Sequence, residues 1–224
     1  MQLQWTAGRS IVLLFIGAVS CAPQATVRLQ PEDLAQLGAT EPVYAVHLEQ
    51  APLFIGDPMG GVLGFVISAA IARSRGDTVA QENEIKDPVY ILKESFLADL
   101  VQNHGVKNLK VLDEPQPDDN IETLRSALRR GSVLEFKTIA SGLSHPNGWT
   151  FYYAYAYYAK ARLLRLTDGK VLWQSTCSSE GKTREWMGTF TANGAKLLKA
   201  EMETTAKECA RQLLDHFSGK SAAR

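Results

Sequence analysis

Five tyrosines crowd into the stretch "YYAYAYYAKAR" (152–162), which closes on two cations, Lys160 and Arg162. On a strand, alternate residues point to opposite faces. Tyr152, Ala154 and Ala156 then share one face, and Phe151, Tyr153 and Tyr155 the other. The alanines change parity at Ala159 and Ala161. A β-bulge near Tyr157–Tyr158 restores the phase and gathers all four alanines on one face, where helices can approach closely. The opposite face then carries Tyr153, Tyr155, Lys160 and Arg162, an aromatic and cationic surface suited to a glycan or a partner chain. The plain alternative is an aromatic-rich strand whose second face is covered by residues 62–73.

Other chemistry is hard to find. The chain has no GxxxxGK[ST], no paired CxxC, no HExxH and no GxSxG. His47, His104, His145 and His216 are scattered, without a second ligand at metal spacing. The acidic run "DEPQPDD" (113–119) lacks the glycine turn and closing glutamate of a calcium loop and reads as a solvated loop. Glu180, Arg184 and Glu185 fall together in a loop, with no distinguishable nucleophile or base. Neither an enzyme nor a cofactor is indicated. A formal net charge of zero argues against a nucleic-acid binder driven by phosphate neutralisation. With 45% apolar and 21% charged residues in 224, the chain can build a sizeable core as one domain plus extras.

Only three cysteines are present, Cys21, Cys177 and Cys209, too few for a disulfide scaffold. Cys21 ends an unusual opening. Residues 1–9 offer the amino terminus and Arg9 and no acid, and residues 11–19, "IVLLFIGAV", are apolar. Nine helical residues span roughly 14 Å, about half a hydrocarbon core. The run therefore has the size of a signal-peptide apolar region rather than a membrane span. Ala18-Val-Ser-Cys21 resembles the lipobox of bacterial lipoproteins, with small Ser20 before the cysteine and Ala18 where leucine is usual. Ordinary cleavage at the same bond is the rival, and it would leave a free N-terminal thiol. The resemblance implies a lipidated (palmitate-bearing) Cys21 holding the chain to a bilayer. Ala22, which is not aspartate, implies the outer membrane, with the domain facing the periplasm.

The expected organisation is a signal peptide over 1–20, a tether over 21–41, a single α/β periplasmic domain over 42–218 and a disordered tail over 219–224. "PVYAVHLE" (42–49) alternates as a strand. Residues 51–74 are apolar but broken by four glycines and two prolines, with a helix over 62–73. Glycine weakens such a helix by about 1 kcal/mol per interior site, so Leu63, Val66, Ile67 and Ile71 need a surface to bury against: the domain's own sheet is the expectation, a partner or lipid the alternative. Val89, Leu92, Phe96 and Leu100 fall at helical spacing over 87–105, closed by Gly105. A short strand (108–113), a helix capped by Asn120 (118–131) and a strand (132–140) follow. A long strand (149–166) turns at "TDG" and returns antiparallel (170–179). The closing helix, 193–217, lines Leu198, Met202, Thr205, Cys209, Leu213 and Phe217 on one face. A turn bulged at Gly169 puts Val171, Trp173 and Cys177 on the face of Ala159, Ala161 and Leu163, whereas a two-residue Asp-Gly turn inverts that assignment. The fold class is α/β: a layered domain with a mixed sheet, a long C-terminal antiparallel hairpin and a closing C-terminal helix.

The hairpin "ARLLRL–TDGKVLWQ" is similar to that of periplasmic lipoproteins related to the curli-secretion lipoprotein and to the N-terminal domain of the translocation protein that partners peptidoglycan-associated lipoprotein. The penicillin-binding-protein activator lipoproteins share this general fold. The resemblance extends over residues 42–217 in element order. It implies non-catalytic work at the outer membrane, as an adaptor, assembly or activator factor with an envelope protein partner, and it sets no oligomeric state; the alternative is a cell-wall glycan-binding module or a cell-wall-active enzyme using the Tyr153 and Tyr155 face. No counterpart of the curli channel's long pore-forming hairpins is seen. With Cys177 on the inward strand face, Cys209 on the helix's apolar stripe and an oxidising compartment, a Cys177–Cys209 disulfide is expected.

Overall fold

The computed structural model describes residues 26–48, 51–56, 61–116, 120–146 and 151–220, without the side chains of 61–67. Its spine is a meander of three long strands, β4 (Ser132–Ser144), β5 (Ala154–Arg165) and β6 (Val171–Glu180), paired antiparallel. Outside β4 lies β1 (Val43–His47), parallel to it, and outside β1 lies β3 (Leu109–Val111), also parallel. A sixth strand, β2 (Leu53–Ile55), runs parallel to β4 farther along, from Ser141 to Leu143. One long strand thus takes two short ones along its length, and the expected α/β domain with a mixed sheet is what forms.

Helices α3 (Val89–His104) and α5 (Met187–Phe217) cover one face, the inner face. Val89, Leu92, Phe96 and Leu100 are all buried there, and Gly105 ends α3 with a φ of 66°, a left-handed cap. The stripe Leu198, Met202, Thr205, Cys209, Leu213 and Phe217 is buried from end to end. The start of α5 is bent, because Asn193, Gly194 and Ala195 all adopt positive φ. On the opposite, outer face, α4 (Ile121–Leu128) covers only one end, where Leu124 packs with Val46, Val133, Leu164 and Leu166. The Asn120 side chain caps α4 by accepting from the Glu122 amide at 2.9 Å.

The structure departs from the sequence reading in five places. The phase correction lies in β4, between Thr138 and Ala140, directly across from Tyr158–Ala159. Because the partner strand carries the extra residue, β5 alternates without a break, and the four alanines are split between the faces. At the hairpin, Gly169 has a φ of 74° and the Arg165 amide donates to the Lys170 carbonyl at 2.9 Å. A second shift at Leu172 leaves Trp173 and Cys177 on the inner face but turns Val171 to the outer one. The segment 27–41 is not a free tether. Val27 bridges Gln174, α1 (Pro31–Gln36) follows, Leu37 is buried, and Leu29 and Leu34 pack on the core. The strand β2 sits inside the segment read as a glycine-broken apolar run.

Finally, α2 (Gly61–Glu82) runs well past residue 73 and packs by its small residues. Ala72 is buried, whereas Ile71, expected inside, is 48% exposed. A Cβ on Gly76 would lie 1.7 Å from the Leu53 carbonyl oxygen, so the helix backbone rests directly on β2. Leu63, Val66 and Ile67 have side chains outside the described residues, as do residues 1–25, with Cys21, and the tail from 221. No helix among the described residues is long and apolar enough to cross a membrane.

Candidate functional site: the open sheet face

Unbroken alternation of β5 separates the four residues expected to form one surface. Tyr155 is fully buried on the inner face, below the helices. Its hydroxyl lies 2.8 Å from Ser141 Oγ, and burial holds its ionisation far above the ordinary range. Beside it, Tyr157 Oη lies 3.2 Å from Thr138 Oγ1, which donates to Asp87. Asp87 also accepts from the amides of Val89, at 2.9 Å, and Ala51, at 3.2 Å. Burial raises the Asp87 pKa, and these hydrogen bonds oppose the rise. The set pins the start of α3 to β4 and β5. Its polar groups point at each other inside the protein, which is the behaviour of a structural rivet rather than of a site open to substrate. Tyr153 packs partly against the same core, with its ring 4.1 Å from that of His145. Among the described residues there is therefore no open platform built on Tyr153 and Tyr155: α3 and α5, rather than residues 62–73, cover that side.

Lys160 and Arg162 point to the outer face. Arg162 pairs with Glu135 at 2.8 Å, the carboxylate side chain being 2% exposed and the guanidinium 14%. Lys137 stands opposite Lys160 on neighbouring strands. Together they make a polar band across the outer face, between the α4-covered end and the far end.

Among the described residues that far end is uncovered. Ala140, Gly142, Ala156, Tyr158 and Ser178 form a floor of mostly small side chains, with Phe54 of β2 and Ala69 and Ala72 of α2 as a wall. They enclose an apolar groove of about 780 Å³, within the roughly 300–1,000 Å³ range of ligand pockets. Just beyond it, Phe151, Tyr152 and Trp186 are 74%, 46% and 53% exposed. The Phe151 and Trp186 rings stack with centroids 5.9 Å apart, and Tyr152 meets Trp186 edge-on at 5.4 Å. The Tyr153–Glu185 bridge holds the two segments together, with amide–carbonyl bonds of 2.7 and 3.2 Å. Sequence reasoning used Phe151 and Tyr152 only for strand phase and passed over Trp186. A lone tryptophan among the polar residues of "KTREWMG" was the available signal.

Two further features complete the chemistry. Cys177 and Cys209 are joined by a disulfide with Cα atoms 5.2 Å apart, tying β6 to α5. His47, buried at the end of β1, accepts at Nδ1 from the Lys93 ammonium at 3.2 Å, while Lys93 also donates to the Leu112 carbonyl at 3.1 Å. Burial, then the Lys93 charge, lowers the His47 pKa to about 4, with Asp113 opposing. His47 is thus a neutral acceptor at pH 7. No group of three or more metal-ligating side chains occurs among the described residues.

No protein-family model matches the chain, and no curated relative does. Similar solved structures exist at low identity. A hypothetical protein of Chlamydia trachomatis is 10% identical, over 83% of this chain and 100% of that one, with a TM-score of 0.39. A DUF330 protein of Xanthomonas campestris is 11% identical, over 87% and 92%, also at 0.39. A lipoprotein of Neisseria meningitidis is 16% identical, over 73% and 97%, at 0.27. At such scores the likenesses carry no functional inference.

Proposed function

We propose that this chain is an outer-membrane lipoprotein whose periplasm-facing domain serves as a non-enzymatic adaptor, assembly or activator factor. In this reading residues 1–20 are removed, Cys21 carries the lipid, and a short tether ends near Val27. The observation that carries it is the use of the cysteines. The Cys177–Cys209 disulfide takes two of the three, which suits an oxidising compartment. It leaves Cys21 alone, at the end of an apolar run of signal-peptide size. The interior polar clusters hold elements together, and the outer face offers a surface rather than converging acids and bases, which suits a protein that works by contact.

The test is metabolic labelling with a palmitate analogue. Wild type should take the label and Cys21→Ala should not; equal labelling of both would refute the anchor. Purified peptidoglycan should fail to retain the mature protein. Specific retention would overturn the adaptor reading in favour of a cell-wall glycan-binding module.

A further inference from the structure

The bare end of the sheet has an address. Val27 and Gln174 exchange both backbone hydrogen bonds, each 3.0 Å, as an antiparallel pair on the outer edge of β6. At Val27 the chain therefore runs antiparallel to β6, so its N-terminal direction there points toward Glu180. Cys21 lies six residues before Val27, and Glu180 six residues after Gln174. At roughly 3.3–3.6 Å per extended residue, the anchor can reach about 20 Å from Val27, level with that end of the sheet. Gln212 blocks a full extra strand, because its side chain holds both the amide (3.3 Å) and the carbonyl (3.1 Å) of Ser178. The reach is unaffected.

The same end carries the exposed Phe151–Tyr152–Trp186 cluster and the mouth of the apolar groove. Tyrosine and tryptophan, each with an apolar body and a polar tip, favour the boundary between lipid and water, Phe151 adds apolar surface beside them, and contiguous exposed apolar patches mark protein or membrane contact sites. The charges beside Trp186 balance in sign: Arg184 pairs with Glu180 at 2.7 Å, and Lys182 and Glu185 are of opposite charge. We infer that this end is a membrane-interfacial face, with Phe151, Tyr152 and Trp186 seated among the lipid headgroups of the bilayer that holds Cys21. The domain then lies against its membrane in a fixed orientation, leaving the α4 end and the polar band of Glu135, Lys137, Lys160 and Arg162 toward the periplasm. This rests on the lipid-anchor reading above.

The test uses the mature full-length protein in vesicles of phosphatidylethanolamine and phosphatidylglycerol with dibrominated acyl chains, which quench tryptophan at the interface. Mass spectrometry of the same sample reports lipidation of Cys21. Trp186 emission, taken as wild type minus Trp186→Phe, should be quenched and blue-shifted relative to unbrominated vesicles. Phe151→Ser, away from the core, should reduce that quenching. A lipidated protein whose Trp186 emission is unchanged by bromolipid overturns the proposal and leaves the anchor standing; a protein-covered or solvent-facing cluster would behave so. An unlipidated protein with a quenched Trp186 overturns the anchor and supports the face. Failure of both signals overturns both.

Discussion

Replacing Gly76 by alanine puts a number on how α2 meets the sheet. On an exposed helix this change stabilises by about 1 kcal/mol. Here the new methyl would lie 1.7 Å from the Leu53 carbonyl oxygen and 2.4 Å from its carbon. An ordinary contact is about 3.5 Å, so the helix must withdraw by on the order of 1.5 Å or more, and the obstacle is backbone that no rotamer change can clear. Overpacking typically costs about 1–3 kcal/mol, and a clash with backbone belongs in the upper part of that range, about 2–3; after the propensity gain a net loss of about 1–2 kcal/mol remains. For a domain of this size that lowers Tm by roughly 2–8 °C. Gly188, in the first turn of α5, has nothing within 4 Å of its built Cβ and serves as the control. Gly188→Ala should be neutral or mildly stabilising. Urea and thermal unfolding of both variants against wild type provide the assay. A Gly76→Ala protein as stable as wild type, or more so, would refute close packing of α2 on β2, and with it the wall of the groove.

Two more outcomes are expected. The Cys177–Cys209 disulfide closes a separation of 32 residues, worth about 3–4 kcal/mol in the chain-entropy model; the double Cys→Ala variant should lose about that much in urea unfolding, and two free thiols in the unreduced protein would contradict the bridge. His47 has its pKa lowered to about 4 from 6.5, so the unfolded chain binds the extra proton first. Its contribution is fully present above about pH 6.5 and is lost as the pH falls toward 4. The full shift corresponds to about 3 kcal/mol, reduced to roughly 1–3 by solvent screening. Urea unfolding between pH 7 and 4 should show the decline, and His47→Leu should flatten it; identical slopes would contradict the assignment.

Elements with one periodic apolar stripe and a clean stop were legible in the sequence. Helix α3 with Gly105, α4 with Asn120 and the buried stripe of α5 all follow from spacing and caps, because each is decided within one segment. The disulfide was legible for the same reason, once strand phase and helix stripe were both read. The face of Lys160 and Arg162 relative to Tyr155 was not. It depends on which of two paired strands holds the extra residue, and β4 shows no glycine at Ile139 to mark it. The groove was hidden for a related reason: its floor of Ala140, Gly142, Ala156 and Ser178 comes from three strands, and none is conspicuous alone. Helix α2 looked like an apolar helix seeking burial through Ile71. It packs instead where Ala72 and Gly76 let backbones touch, a preference set by the height of β2 and not by hydrophobic spacing.

Because β1 and β2 both pair with β4, assembly of the sheet has a direction in time. The meander from β4 through β6 is contiguous over residues 132–180 and joined by short connections, so its contacts are close in sequence and form at low loop-closure cost. By contrast, Val43 finds its partner at Ser132. The pairing of β1 with β3 is only three residues long, too little to persist alone. Residues 43–111 therefore carry strands that wait for a template made later in the chain, and β1 and β2 cannot enter the sheet until the region from Ser132 onward is free. Mutations in the β4–β5 register should then slow folding, while those in β1 or β3 should mainly quicken unfolding.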